Sequence, residues 1–233
     1  MRRGGERDDD GTGDEQRPHG GTSNGGTTGR AAVLPTARPG ASVRSAGSLG
    51  LVLWDLSAEA YRAIVSWAAA TPPWVHASAL VATQGLLALL VALTLLSWWR
   101  AGRRPAQLVP LLAGVLGWVL AGLVKDVFQQ PRPCASALLD TIEACADVSR
   151  WSLPSGHSAA AAALAVALAL QWRRIAVLAA VLAVLAGFTR VFIGVHYPHD
   201  VLAGFTVGAV VAVVCTRLGA RARTRGTTAP DAR

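Results

Sequence analysis

From Trp74 to Trp99 the sequence contains no Asp, Glu, Lys or Arg. A helix needs about 20 consecutive apolar residues to cross the hydrocarbon core of a bilayer, so an uncharged run of this length predicts a membrane span. Further apolar runs follow and impose the same reading on most of the chain. Charged residues make up only 15% of the sequence and hydrophobic ones 52%, whereas a soluble domain carries roughly 25% charged residues. With no water inside the bilayer to satisfy backbone groups, the chain has to be helical there. The expected fold class is all-α: a polytopic membrane helix bundle with six transmembrane helices.

The second span ends in Trp98 and Trp99 and is followed by Arg100, Arg103 and Arg104, an aromatic and basic boundary typical of a membrane interface. The third span is expected from about residue 107 to 124, closing at Lys125. The fourth, rich in alanine, runs from about 157 to 172, the fifth from 175 to 189, and the sixth from 200 to 214. The segment from about 49 to 70 is apolar but carries Asp55, Glu59 and Arg62 on one helical face. It reads either as a first span whose polar face packs inward or as an amphipathic helix on the membrane surface; the span is the reading taken here. Residues 1–46 are rich in Gly, Thr, Arg and Asp without apolar periodicity and are expected to form a disordered tail. The first 50 residues also lack the apolar core of a secretory signal. The membrane domain is expected over 47–216, with a basic cytoplasmic tail over 217–233.

A formal net charge of +8 raises nucleic acid as a partner, but the arginines cluster at the chain ends and in short linkers between apolar runs. This is the pattern of the positive-inside rule and not of a basic recognition face, so nucleic acid is excluded as a partner. The rule places the 100–104 linker, the Arg173–Arg174 turn and the C-terminal arginines in the cytoplasm. The stretches 125–155 and 190–199 then face the other side of a plasma (inner) membrane, with both termini inside.

Polar residues concentrate at the ends of the third to sixth spans, in three groups. Lys125 and Arg132 form the first, two cations of which the guanidinium can grip two phosphate oxygens at once; alone they also fit ordinary snorkelling at an interface. The second is Pro154-Ser155-Gly156-His157, where a helix begins. Free N–H groups and the positive dipole end favour an anion there, Gly156 admits close approach, Ser155 offers a hydroxyl, and His157 titrates near neutral pH. A serine N-cap beside a bystander histidine is the plainer alternative. In the third, Arg190 adds a cation, and His196 and Asp200 stand four apart, a spacing at which a carboxylate can orient an imidazole and raise its nucleophilicity. A metal site from His196, His199 and Asp200 is disfavoured by three neighbouring cations.

Together, Lys125 followed by Arg132-Pro133, then Pro154-Ser155-Gly156-His157, then Arg190, His196 and Asp200 closely resemble the tripartite signature of the type 2 phosphatidic acid phosphatase (PAP2) superfamily, whose core is shared with vanadate-binding haloperoxidases. The resemblance spans residues 125–200; Thr189 stands where the family usually has serine. It implies a metal-independent phosphatase without a cofactor. His196 would be the nucleophile that forms a phosphohistidine, Asp200 its orienting carboxylate, and His157 the acid and base for leaving group and water. Lys125, Arg132, Ser155, Gly156 and Arg190 would bind the phosphoryl group. The implied substrate is a lipid phosphate or diphosphate held in the bilayer, of the phosphatidic acid, phosphatidylglycerophosphate or polyprenyl diphosphate class. A phosphotransferase using the same intermediate and a non-catalytic membrane binding protein are the competing readings. Cys134 and Cys145 lie in the outer stretch, where a disulfide is compatible with the compartment; Cys215 is expected to be a buried thiol.

Overall fold

A computed structural model of the chain describes residues 48–136, 139–144 and 151–226. The expected N-terminal tail and the end of the C-terminal tail lie outside the described residues. Six long helices and one short one follow in order: α1 (Ser48–Ala69), α2 (Pro73–Arg100), α3 (Val109–Phe128), the single turn α4 (Pro133–Ser136), α5 (Gly156–Gln171), α6 (Ala176–Phe192) and α7 (Pro198–Gly226). No strand occurs among the described residues. Proline sets the start of α2, α4 and α7, where its missing N–H costs nothing and its fixed φ suits a helix. Ser155 caps α5, and α3 ends on Gln129 in the left-handed conformation.

The segments Pro73–Arg100, Pro105–Ala135, Arg173–Phe192 and Pro198–Ala222 are long and apolar enough to cross a membrane. The outward faces of the bundle are apolar: Leu112, Val115, Trp118 and Leu123 on α3 and Val177 and Val184 on α6 are each more than half exposed. In water such a surface would be a liability, whereas in a bilayer it is the solvent-facing side. These helices make the chain an integral membrane protein.

The centre belongs to α5, which packs against α7, α3, α6 and α2. Its sixteen residues reach about 24 Å at 1.5 Å per residue, short of the roughly 30 Å hydrocarbon core. Surrounded by other helices, it has little need to match the lipid thickness. Its alanine content follows from the same position: Ala159, Ala161, Ala163 and Ala167 are fully buried, and small side chains let neighbouring backbones approach. On α7 the approach is closest at Gly204 and Gly208, where a Cβ would run into the backbone carbonyls of Ser155 and Ala159.

One expectation for α1 is corrected. Asp55, Glu59 and Arg62 do not pack inward; all three are exposed. The inward face is Ser57, Tyr61, Val65 and Ala68, each buried, at spacings that follow the helical period. Burying three charges would cost several kcal/mol each without partners, whereas Ser57 and Tyr61 bury polar atoms that find hydrogen bonds. Charges facing hydrocarbon would be costly too, so the outward face of α1 suits the membrane interface. Ser48–Ala69 is not among the described segments long and apolar enough to cross a membrane. At the other end of the chain, α7 continues through the arginines expected to begin the tail and stops at Gly226.

Candidate active site

The C-terminal ends of α3 and α6 and the N-terminal ends of α5 and α7 meet around a cavity of about 1100 Å³. Its wall includes Lys125, Arg132, Gly156, His157, Arg190 and His196. Residues from three separate stretches of sequence therefore share one space. Ser155 and Asp200 sit behind this wall, both fully buried.

The connector between α6 and α7 carries the central imidazole. Helix α6 ends at Phe192, and Gly194, at φ 89°, reverses the chain with a conformation that glycine adopts without a Cβ penalty. The Val195 and His196 N–H groups both return to the Arg190 carbonyl at 3.2 Å. Pro198 then opens α7, and Asp200, in its first turn, accepts the Tyr197 N–H at 2.9 Å, the reciprocal contact of a capping box. His196 thus lies just before the helix. Its Nδ1 is 3.4 Å from Asp200 Oδ2, with exposures of 2% and 0%. The four-residue spacing brings the pair together through a cap and not through a continuous helical turn.

Burial pushes the His196 imidazole down from its ordinary value to about 4, with Lys125 and Arg190 adding to the effect while Asp200, through its hydrogen bond and its charge, opposes it. Desolvation outweighs the neighbouring carboxylate, so the ring is neutral at pH 7. With Nδ1 turned to Asp200, the Nε2 lone pair is left for the cavity. Removal from water, more than the neighbouring cations, is what opposes Asp200.

Arg190 is buried and meets the Glu143 carboxylate at 3.7 Å; its Nε has no hydrogen-bond partner among the described residues. Glu143 is held in place by its own N–H on the Ile193 carbonyl at 3.1 Å. His157 stands in the first turn of α5 and faces the same cavity as His196. Gly156 fits beneath the Trp118 indole, where a Cβ would come within 3.2 Å. Ser155 caps α5: its Oγ accepts the Ser158 N–H at 3.4 Å and the Ser158 hydroxyl at 2.9 Å. Thr189, the departure from the family's serine, bonds back to the Ala186 carbonyl.

Ser152, Gln130, Ser57 and Tyr61 carry no signal in the sequence, and His199 stands out there only as a disfavoured metal ligand. Ser152 is fully buried and its hydroxyl donates to Asp200 Oδ2. The Gln130 amide donates to Asp200 Oδ1 at 3.3 Å. His199 Nε2 is 3.2 Å from Asp200 Oδ1, and Ser57 of α1 bonds to His199 Nδ1 at 2.7 Å. The Tyr61 hydroxyl reaches the Gly194 carbonyl at 2.8 Å. Helix α1 therefore braces the connector that bears His196. Cys134 is disulfide-bonded; Cys145, its expected partner, lies outside the described residues. Cys215 is a free thiol, half-buried. Among the described residues no three His, Cys, Asp or Glu side chains form a metal-binding group.

The chain is thus a membrane-type helical bundle in which three cations and two histidines converge on one cavity at the helix ends. The sequence pattern of the PAP2 superfamily matches residues 106–223, just over half of the chain, and the chain belongs to that superfamily. It is 34% identical over 126 residues to undecaprenyl-diphosphatase BcrC of Bacillus subtilis, a stretch covering 52% of this chain and 63% of that protein. It is 31% identical to decaprenylphosphoryl-5-phosphoribose phosphatase of Mycobacterium tuberculosis, over 60% of this chain and 75% of that one. A lipid A 1-phosphatase of Rhizobium johnstonii matches at 43% identity, but over 29% of this chain and only 30% of the relative's length. Among solved structures, the transmembrane PAP2-type phosphatidylglycerolphosphate phosphatase of Bacillus subtilis superposes with a TM-score of 0.55 at 23% identity, covering 73% of this chain and 87% of that one. That likeness concerns the fold. Aquifex aeolicus LpxE gives a TM-score of 0.52 at 26% identity, over 68% and 93% of the two chains.

Proposed function

We propose that the protein is a membrane phosphatase that hydrolyses a lipid phosphate or diphosphate through a phosphohistidine at His196. The observation that carries this reading is the cavity itself: Lys125, Arg132 and Arg190 line it together with His157 and His196. Phosphoryl transfer asks mainly for positioning and for charge stabilisation around the equatorial oxygens, and three cations beside the N-terminus of α5 supply both.

In the first step His196 Nε2 attacks phosphorus, the P–O bond to the leaving group breaks, and the electron pair leaves on that oxygen. His157, protonated once the anionic substrate offsets the neighbouring cations, passes its proton to it, giving the free alcohol or, from a diphosphate, the monophosphate. Asp200 stabilises the positive charge that develops on the phosphorylated ring. In the second step His157, now neutral, takes a proton from water as the water oxygen attacks phosphorus. The P–N bond breaks, its electron pair returns to Nε2, and inorganic phosphate leaves. The apolar part of the wall, with Leu80 from α2 and Val119 and Leu123 from α3, suits a hydrocarbon chain that stays in the bilayer while its head group enters. The names of the relatives supply the substrates to try first: polyprenyl diphosphates, polyprenyl phosphosugars and phosphatidylglycerophosphate.

The charge pattern supports placing this end of the bundle on the extracytoplasmic face of the plasma membrane, since the Arg100–Arg104 and Arg173–Arg174 linkers join the opposite helix ends. Impermeant thiol labelling of single cysteines introduced at Asp140 and Arg103 tests this, and labelling of position 103 alone from outside would reverse it. The activity is tested with purified protein, those three lipids and EDTA. Phosphate release that survives EDTA is expected, with an acid-labile, base-stable phosphoryl label on the protein. His196→Ala should lose both turnover and label; a variant that keeps either refutes the nucleophile.

A further inference from the structure

We infer that Ser152 is a positioning residue for the nucleophile: its hydroxyl bridges His196 Nδ1 and Asp200 Oδ2 and sets the ring in its attacking tautomer. The inference deepens the proposed reaction and rests on it.

The direct contact between His196 Nδ1 and Asp200 Oδ2 is 3.4 Å, beyond the 2.7–3.2 Å usual for a good N–H···O bond. The Ser152 Oγ sits 3.3 Å from the same Nδ1 and within hydrogen-bond reach of the same Oδ2. A hydroxyl has one proton and two lone pairs. Asp200, ionised, only accepts, so the Ser152 proton goes to the carboxylate and its lone pair is left facing the ring. The sole partner that matches on the imidazole is an Nδ1–H. With the proton held on Nδ1, the lone pair is on Nε2, the nitrogen left for the cavity. The Nδ1–H is thus shared between two long contacts, and Ser152 shares with Asp200 the choice of tautomer.

The position of Ser152 is itself fixed. Its side chain is fully buried, and its N–H donates to the Gln130 carbonyl at 2.7 Å. The Gln130 side chain in turn donates to the other carboxylate oxygen of Asp200. The segment after α3 and the segment before α5 are thus tied to each other and to the same carboxylate. Ser152 does not line the cavity, so substrate binding has no direct need of it.

The experiment compares wild type, Ser152→Ala and Ser152→Cys, full-length in proteoliposomes, with farnesyl diphosphate and dioctanoyl phosphatidic acid as substrates. It also records the ¹⁵N shifts of His196 at neutral pH. Ser152→Ala is expected to lower kcat at least tenfold with KM within twofold, and to turn a pure Nδ1–H signature into a mixture of tautomers. Ser152→Cys, whose thiol is a weaker donor, should fall between and stands in if the alanine variant does not fold. A kcat within threefold of wild type together with an unchanged tautomer overturns the inference. If wild type releases no phosphate from any lipid, the proposed reaction fails, while the tautomer comparison still decides whether Ser152 sets the ring.

Discussion

Replacing Asp200 by asparagine keeps the side-chain volume and removes the charge. The amide can keep its oxygen at the Oδ2 position, where Ser152 and Tyr197 donate, and turn its nitrogen toward Gln130, whose own amide can rotate to present its oxygen. The fold should therefore survive, and the loss should fall on the reaction. As Nε2 attacks phosphorus, positive charge develops on the ring. At the observed 3.4 Å separation, a full unit charge opposite the carboxylate gains about 5 kcal/mol at an effective dielectric near 20. A transition state with about half that charge loses about 2–3 kcal/mol when the carboxylate goes, or roughly a hundredfold in rate. Asp200 lies behind the cavity wall, so KM should stay within about threefold. The assay is phosphate release over a range of lipid concentrations, with a thermal melt to check folding. A kcat within fivefold of wild type, or a rise in KM at constant kcat, would show that Asp200 does not act through the ring charge.

Three further outcomes follow from the geometry. The His196 pKa is about 4 in the folded protein against about 6.5 unfolded, so between these values the unfolded chain binds more protons. The contribution is present in full above pH 6.5 and is lost as pH falls toward 4. On the order of 3 kcal/mol should disappear across that window, and thermal melts of wild type and His196→Gln should differ in slope there; parallel slopes would refute it. Glu143→Gln removes the carboxylate that occupies Arg190, so a substrate phosphate no longer competes with it; KM should fall severalfold with kcat little changed, and an unchanged KM would mean that Glu143 already stands clear. Gly208→Ala drives a methyl into the Ala159 carbonyl and should cost about 1–3 kcal/mol by overpacking, read as a lower melting temperature; a melt within one degree would mean that α7 can shift away from α5 freely.

The parts of the fold that depend on local hydropathy were legible in the sequence. Each of the six long helices begins and ends within a few residues of its apolar run, apart from the extension of α7 to Gly226, because transfer into lipid depends on the content of a contiguous segment. The candidate cations and histidines were legible for a related reason. Charged groups at span ends are few, and their residue types restrict the chemistry. The orientation of α1 was not legible. Asp55, Glu59 and Arg62 form a face by spacing, but burial is decided by what lies opposite, and opposite α1 lie His199 and the Gly194 carbonyl, which suit Ser57 and Tyr61.

What the sequence by itself determined is therefore a set of spans and three groups of reactive residues placed at their ends. That Lys125, Arg132, His157, Arg190 and His196 line one cavity was decided by the close packing of α5 against α3, α6 and α7. The roles of Ser152, Gln130 and Glu143, and of Ser155 as a cap, were decided there too. A serine or glutamine has the same letter in a solvated loop and beside a buried carboxylate. Only tertiary contact, by removing water from around Asp200, makes the choice of its hydrogen-bond partners matter.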